Sequence, residues 1–311
     1  MKNSVPRSSA VGLPADPPRR SHPHPWRVSL VIFLTVGLLI GGYIFWEPSQ
    51  SLVERLPGLA QSLLTEQVLY FALAGFVAQI VDGALGMAYG ISSTSILLGM
   101  GISPALASAS VHVSEVFTTG ISGLSHLRLG NVNRRLFRSL VLPGVVGAVV
   151  GAYVLTNLDE QVIKPFVGVY LLVMGMVVLR KAFRPQPENP SRAWRHLPRL
   201  ALFGGFLDAV GGGGWGPIVA STLLTKGHLP RFTIGSVNLA EFFVAVAGAG
   251  TFVALIGTGN WQIIVGLVVG GSLAAPFAAH LARKFSTQTL LVLVGSVIIL
   301  LSLRTLFLFF R

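Results

Sequence analysis

Long apolar runs alternate with short polar segments along most of the chain. A run of about twenty apolar residues crosses a bilayer as an α-helix, so this pattern predicts a multi-pass membrane protein. Two longer runs, 67–99 and 200–225, contain glycines near their middle, which weaken a continuous helix. The uninterrupted runs predict membrane helices over 28–46, 104–126, 136–156, 161–179, 232–256, 260–282 and 285–310.

Glycines place the predicted break in each longer run. The first run carries three glycines between residues 83 and 90, and the second carries four successive glycines at 211–214, followed by Gly216-Pro217. We interpret each run as a re-entrant hairpin, because non-helical backbone is tolerated at membrane depth only where it is buried or lines a watery cavity. Serine and proline are helix-start signals, so the second arms should begin near residues 90–95 and near Gly216-Pro217.

The two halves of the chain repeat each other. Residues 82–117 align with residues 208–243 without a gap, and twelve of the 36 aligned pairs are identical. The identical pairs include intramembrane acids and prolines, and internal repeats of this size are typical of transporter folds. The predicted organisation is a disordered cytoplasmic arm (1–27), an extra transmembrane helix (28–46), a first transporter repeat (67–181), a basic cytoplasmic linker (182–197) and a second transporter repeat (198–311).

The positions of Lys and Arg predict how the repeats face the membrane. If each broken run is a hairpin that returns to its own side, each half crosses an odd number of times and the halves are inverted. The cytoplasmic segments then hold 19 of the 23 Lys and Arg residues, as the positive-inside rule favours, whereas single crossings give at best 13 against 10. The predicted fold is an all-α integral membrane protein with an N-terminal anchor helix and two inverted repeats, each a glycine-broken re-entrant hairpin followed by three transmembrane helices.

Composition narrows the function classes. Hydrophobic residues make up 52% of the chain and charged residues 11%, which excludes an ordinary soluble domain. The net charge of +12 comes from loop residues without interleaved aromatic side chains, so no nucleic acid partner is expected. The chain has no cysteine, which excludes disulfides, thiolate catalysis and Cys-based zinc sites, and we predict neither a metal site nor a cofactor.

Four acids lie inside apolar runs as two pairs, Asp82 with Asp208 and Glu115 with Glu241, and the members of each pair are 126 residues apart. An ionisable group inside the bilayer is costly, so it is a functional hypothesis by default. We predict that Asp82 and Asp208 gate or couple transport at the two breaks. The two glutamates are predicted to carry a coupling proton. The alternative is that they are neutral latches that tie the hairpins to neighbouring helices by hydrogen bonds.

The glutamates share helix faces with other polar residues. Glu115 lies three residues after His112, and Glu241 lies three residues after Asn238. A polar stripe on an apolar helix normally faces the bundle interior or a cavity. His112 and Asn238 are therefore candidate substrate contacts. The alternative for His112 is a core histidine with satisfied hydrogen bonds.

The second arm of each hairpin would present a helix N-terminus, which attracts anions. Apart from Arg304, no span interior carries Lys or Arg, so backbone N–H and hydroxyl groups would hold an anionic substrate. For the glycines the alternative is close helix packing, and for the serines it is capping or interhelical hydrogen bonding. The predicted substrate-binding residues are Gly90, Ser92, Ser93, His112, Gly214, Gly216 and Asn238.

Several motifs resemble those of the TauE/SafE family of bacterial membrane transporters. They are Gly-Gly-Gly-Gly-Trp-Gly-Pro at 211–217, Thr-Leu-Leu at 222–224 and Gly-Ser-Val-Asn-Leu-Ala-Glu at 235–241. The resemblance covers about residues 67–310, and the first half departs from it with Ala84-Leu85-Gly86-Met87. It implies a secondary transporter of sulfur-containing anions such as sulfite or sulfonates, and not an enzyme.

We expect a multi-pass protein of the bacterial inner membrane that moves such an anion by alternating access, coupled to protons. Export is expected because an inside-negative potential drives anions outward. Its partners are the anion, protons and the lipid bilayer, and a homo-oligomer is compatible with the sequence. An anion channel or uniporter on the same fold is the alternative. A more distant alternative is an intramembrane serine protease, because residues 120–123 are Gly-Ile-Ser-Gly and His280 is a conceivable base for Ser122.

Overall fold

The computed structural model describes residues 65–85, 87–183, 196–257, 261–284 and 286–311. The predicted arm and first helix (28–46) lie outside the described residues, as does most of the linker. Helices make up the described part, and no strand occurs in it. They are α1 (Glu66–Leu85), α2 (Tyr89–Gly99), α3 (Pro104–Arg128), α4 (Arg134–Asn157), α5 (Glu160–Lys181), α6 (Leu197–Gly211), a π-helical segment (Gly216–Ala220), α7 (Ser221–Thr225), α8 (Pro230–Ile256), α9 (Trp261–Lys284) and α10 (Thr287–Phe310).

The predicted spans of α3–α5 and α8–α10 agree with the structure to within two residues at each end. Among the described residues, four helices (α4, α5, α8 and α10) are long and apolar enough to cross a membrane by the criteria of length and hydropathy. Shorter apolar helical stretches lie at Gly216–Thr225 and Trp261–Ala274. The predicted class of an all-α membrane protein is confirmed.

Both longer runs are broken where the glycines predicted it. The first break separates α1 from α2, and the second separates α6 from the π-helical segment. In the second break Gly212 and Gly213 have φ of 65° and 141°, values that residues with a Cβ rarely adopt, so glycine is required there. Each apolar run therefore consists of helical segments separated by a short non-helical stretch.

Equivalent helices of the two repeats make equivalent contacts. The opening helix of each repeat packs along the next-to-last helix of the other repeat: α1 along α9, and α6 along α4. The helices after the broken elements, α3 and α8, pack together, and so do the last helices, α5 and α10. This exchange of partners agrees with two repeats related by a two-fold axis. Inversion of the repeats across the membrane stays a prediction.

Candidate functional site

The two breaks meet at glycines in the centre of the described helices. A Cβ added to Gly90 would lie 2.6 Å from the Gly213 Cα, and one added to Gly216 would lie 2.7 Å from the Met87 carbonyl oxygen. Gly90 corresponds to Gly216 in the repeat alignment, and Met87 corresponds to Gly213. These are therefore the same contact made once by each repeat. Glycine lets the two backbones touch, because any side chain would separate them.

An aspartate caps the second arm at each break. The Asp82 Oδ1 accepts hydrogen bonds from the Ala88 and Tyr89 N–H groups at 2.9 and 3.2 Å. The Asp208 Oδ1 accepts one from the Trp215 N–H at 2.8 Å. Because the first N–H groups of a helix lack partners within the helix, these carboxylates stabilise both breaks.

Side chains from the rest of the bundle hold the backbone carbonyls of the second break. The Tyr170 hydroxyl on α5 donates to the Gly213 carbonyl at 2.8 Å, and the Thr94 hydroxyl on α2 donates to the Gly212 carbonyl. The Ser108 hydroxyl on α3 donates to the Ala209 carbonyl at 2.6 Å. The non-helical backbone is thus satisfied by protein groups of the first repeat.

A cavity of about 240 Å³ lies where the breaks meet. Its wall combines backbone from both breaks with carboxyl, amide and hydroxyl side chains from α1, α3 and α8, so it suits a small polar solute. The lining residues are Gln79, Asp82, Met87, Tyr89, Gly90, Ile91, Glu115, Thr118, Thr119, Ser122, His126, Gly214, Gly216, Pro217, Ile234, Asn238 and Glu241.

The cavity brings together most of the residues that the sequence predicted for the site, and leaves four of them outside its wall. Those that line it are Asp82, Gly90, Glu115, Gly214, Gly216, Asn238 and Glu241. The four outside its wall are Ser92, Ser93, His112 and Asp208. All four side chains are at least nine-tenths buried, and Ser92 and Ser93 are buried residues of α2.

His112 and Asp208 approach each other behind the cavity. The His112 Nε2 lies 3.3 Å from the Asp208 Oδ2, and both side chains are almost fully buried. Glu115, which does line the cavity, places a carboxylate oxygen within 4.8 Å of both atoms. Within the part of the chain that the structure describes, no Lys or Arg forms an ion pair with any of the four predicted acids.

Sequence reasoning missed a pair of aromatic residues at the breaks. Tyr89 and Trp215 are equivalent in the repeat alignment, and both line or adjoin the meeting point. The Tyr89 hydroxyl shares a 2.6 Å hydrogen bond with the Ser114 hydroxyl on α3. The Trp215 Nε1–H donates to the Val237 carbonyl on α8 at 3.2 Å. Their matched positions were the signal that could have identified them.

A lysine also reaches this region. The Lys181 ammonium, at the end of α5, lies 2.9 Å from the Met87 sulfur and hydrogen-bonds the Ser221 hydroxyl. The sequence placed Lys181 at the cytoplasmic boundary and so missed a positive charge beside a cavity residue. Ser122, the nucleophile of the protease hypothesis, accepts a hydrogen bond from the Asn238 amide at 2.8 Å. The His280 side chain lies outside the described residues.

Comparisons with known proteins give a consistent result. The family described as "Sulfite exporter TauE/SafE" matches residues 71–305. The chain is 44% identical over 250 residues to "Probable membrane transporter protein YtnM" of Bacillus subtilis (strain 168), covering 78% of this chain and 83% of that protein. It is 22% identical over 247 residues to "Probable membrane transporter protein YjnA" of the same organism, covering 75% and 97% of the two chains. No solved structure matches the chain.

Proposed function

The chain belongs to the TauE/SafE family of membrane transporters, and on that premise we propose that it moves a small sulfur-containing anion, such as sulfite or a sulfonate, across the bacterial inner membrane by alternating access. The observation that carries this proposal is the cavity between the two breaks. It is lined by backbone and by repeat-matched acids, and its volume of about 240 Å³ suits a small solute. Substrate sites of repeat-built transporters typically lie where broken helices meet.

The anion would be held mainly by backbone N–H groups. The Asp82 carboxylate accepts hydrogen bonds from the Ala88 and Tyr89 N–H groups. The next N–H groups of the first turn of α2, those of Gly90 and Ile91, would therefore be the ones that bind the anion. Gly214 and Gly216 line the opposite wall. Glycine at these positions lets a ligand approach the backbone closely. The Lys181 ammonium adds positive charge one residue behind this wall.

Carboxyl groups in the same cavity support proton coupling. Asp82, Glu115 and Glu241 line the space that the anion would occupy, and ionised carboxylates there would repel it. A protonated Glu115 or Glu241 would instead donate a hydrogen bond to the anion. Entry of the anion would then require protonation, and release of the proton would favour release of the anion. Asp82 is committed to the α2 cap, so the two glutamates are the better proton carriers.

The direction of transport follows from charge. An inside-negative potential drives net negative charge outward by about 2.3 kcal/mol per charge per 100 mV. We propose export. The potential favours it when the anion and the protons that move with it carry a net negative charge. An imposed pH gradient would then alter the rate.

Flux measurements in proteoliposomes test the proposal. Liposomes containing the purified full chain, and matched empty liposomes, are loaded with sulfite, thiosulfate, sulfoacetate or taurine, and efflux is followed with and without a pH gradient. We expect protein-dependent efflux of at least one sulfur oxyanion or sulfonate, saturating with concentration. Absence of protein-dependent flux for all four solutes in monodisperse, reconstituted protein would overturn the substrate class.

A channel or uniporter on the same fold is the second candidate, because the same cavity could pass an anion without a proton. It predicts flux that follows the membrane potential and the anion gradient but does not respond to a pH gradient at constant potential. The two candidates therefore differ in one variable of the same assay.

A further inference from the structure

Three buried ligand atoms converge behind the cavity without hydrogen-bond partners. They belong to His112, Asp208 and Glu115, each of which offers one ring nitrogen or carboxylate oxygen within 4.8 Å of those of the other two. His112, Asp208 and Glu115 are 0%, 1% and 2% exposed, respectively. Within the described part of the chain, the His112 Nε2, the Asp208 Oδ2 and the Glu115 Oε2 have no hydrogen-bond partner. Buried polar atoms normally have hydrogen-bond partners, so three side-chain atoms whose only polar approach among the described residues is the 3.3 Å contact of His112 with Asp208 need an explanation.

The surroundings of His112 orient its ring as a ligand. The His112 Nδ1–H donates to the Ser108 carbonyl at 2.9 Å, which leaves the lone pair of a neutral imidazole on Nε2. The ring packs edge-on against Phe252, and a Cβ at Gly248 would lie 2.6 Å from it, so α8 leaves room for the imidazole and little more. Asp208 is oriented in the same way, because its Oδ1 accepts the Trp215 N–H.

The distance between His112 and Asp208 fits two ligands of one metal ion better than a hydrogen bond. A hydrogen bond between imidazole and carboxylate measures about 2.7–3.2 Å with an aligned N–H, whereas the His112 Nε2 and the Asp208 Oδ2 are 3.3 Å apart and not aligned for one. Two ligands on a tetrahedral zinc ion, with bonds of about 2.0–2.2 Å, are about 3.3–3.5 Å apart. Imidazole and carboxylate together are ligands for first-row transition metals.

The charges of the three groups also favour a divalent cation. A divalent ion would hold Glu115 and Asp208 in their ionised forms, and no Lys or Arg among the described residues pairs with either carboxyl group. Unpaired buried charges are rare inside membranes, and a divalent ion would neutralise this set.

We propose that His112, Glu115 and Asp208 form a binding site for one divalent transition-metal ion, of which Zn²⁺ and Mn²⁺ are the best matches. The site takes residues from both repeats, and its repeat-related counterpart lacks the imidazole, because Asn238 stands at the equivalent of His112. Because Glu115 also lines the cavity, the ion would place positive charge beside it. This inference departs from the sequence prediction of no metal site, and it does not depend on the identity of the transported anion. With the ion bound, Glu115 would be a metal ligand, and Glu241 would be the proton carrier of the cavity.

Metal analysis of the purified chain tests this site. Tag-free protein in nanodiscs is stripped with a chelator, incubated with Zn²⁺ or Mn²⁺ alone, passed over a gel-filtration column and analysed by mass spectrometry for metal content. We expect about one equivalent per chain for one of the two metals. His112→Asn, which copies the second repeat, and Glu115→Gln should each lower the affinity at least tenfold.

Matched controls separate this site from other histidines and acids. Glu241→Gln removes the repeat-equivalent carboxyl, and His126→Asn removes a histidine that lines the cavity. Both variants should keep the metal. The arm residues His22 and His24 are present in every variant, so they cannot account for a difference in metal content. The absence of a stoichiometric metal, or full retention of it in His112→Asn, would overturn the proposal.

A second measurement on unmodified protein covers the case in which the variants do not fold. Co²⁺ substituted into the wild-type site should give visible absorption bands typical of an ion with nitrogen and oxygen ligands, and excess Zn²⁺ should abolish them. A Co²⁺ spectrum indistinguishable from that of the aqueous ion would also refute the site.

Discussion

At the scale of single residues, the site depends on glycines that allow two backbones to touch. Gly90 and Gly216 make the repeat-equivalent contacts. An added Cβ would meet backbone atoms of Gly213 and Met87, which cannot rotate away, and at Gly90 it would also meet the Glu115 Oε1. Gly250 on α8 has no atom within 4 Å of an added Cβ. The methyl group of an alanine would therefore meet fixed backbone at Gly90 and Gly216 and open space at Gly250.

The first prediction concerns these three glycines. Gly90→Ala and Gly216→Ala should each separate the breaks, at a cost of about 1–3 kcal/mol, and reduce anion flux roughly tenfold or more. Gly250→Ala should leave flux unchanged, because alanine fits and favours helix. Flux in proteoliposomes at equal protein density measures all three. Unchanged flux in both break variants would show that the contact is not needed for transport.

Residue types alone identified the acids and glycines of the cavity, but not all of its polar contacts. Repeated acids in apolar runs are rare enough to stand out, and seven predicted residues do line the cavity. Ser92 and Ser93 do not, because which side of α2 faces the cavity depends on packing between repeats. Lys181 and Tyr170 reach the breaks from a helix at least 40 residues away along the chain, a relation that local pattern cannot reveal.

At the scale of helical elements, the caps explain how a broken helix persists in an apolar bundle. Asp82 accepts two N–H groups at the start of α2, and Asp208 does the equivalent in the second repeat. Without these carboxylates the N–H groups would be buried without partners. The acids at the breaks thus have a structural function, and their predicted gating or coupling role stays a prediction.

The second prediction tests the cap at Asp82. Asp82→Ala should lower the free energy of unfolding by about 1–3 kcal/mol, since two N–H groups lose their acceptor. Asp82→Asn keeps the acceptor oxygen and should melt close to wild type. Asp159, which caps the exposed start of α5 through the Gln161 N–H, provides the control, and Asp159→Ala should have a smaller effect. Thermal unfolding in detergent gives the melting temperature of each variant. Equal melting temperatures for Asp82→Ala and Asp82→Asn would argue against a cap.

Element boundaries were predictable because each has a local signal. Pro104 and Pro230 begin α3 and α8, and both follow a glycine with positive φ, Gly101 and Gly227. These signals act within a few residues and need no partner. The π-helical segment at Gly216–Ala220 had no such signal, since it depends on how the second break packs against Met87 and Tyr170.

At the scale of the whole molecule, the exchange of opening helices ties the repeats together. α1 packs on α9, and α6 packs on α4, so neither repeat can move as an independent body without sliding these pairs. The cavity lies where the two breaks meet, and residues of both repeats line it. Relative motion of the two repeats would therefore change access to it, as alternating access requires.

The third prediction concerns orientation in the membrane. Because the inverted arrangement places 19 of the 23 basic residues on one side, positions 8 and 190 should be cytoplasmic and position 158 external. The chain has no cysteine, so Ser8→Cys, Pro190→Cys and Leu158→Cys each introduce a unique label site. An impermeant thiol reagent applied to intact cells should label only position 158. Labelling at position 8 or 190 would reject the hairpin model.

The central claim is that a proton on Glu115 or Glu241 accompanies the anion, and one measurement tests it most directly. Gln keeps the shape of Glu but cannot carry the proton, so the double variant Glu115→Gln/Glu241→Gln is compared with wild type in proteoliposomes under an imposed pH gradient at constant potential. Glu160→Gln, an exposed carboxyl that pairs with Lys164, is the matched control. Wild type and the control should respond to the gradient, whereas the double variant should retain anion exchange and lose that response. Full pH-driven flux in the double variant would contradict the account and leave the channel or uniporter as the better description.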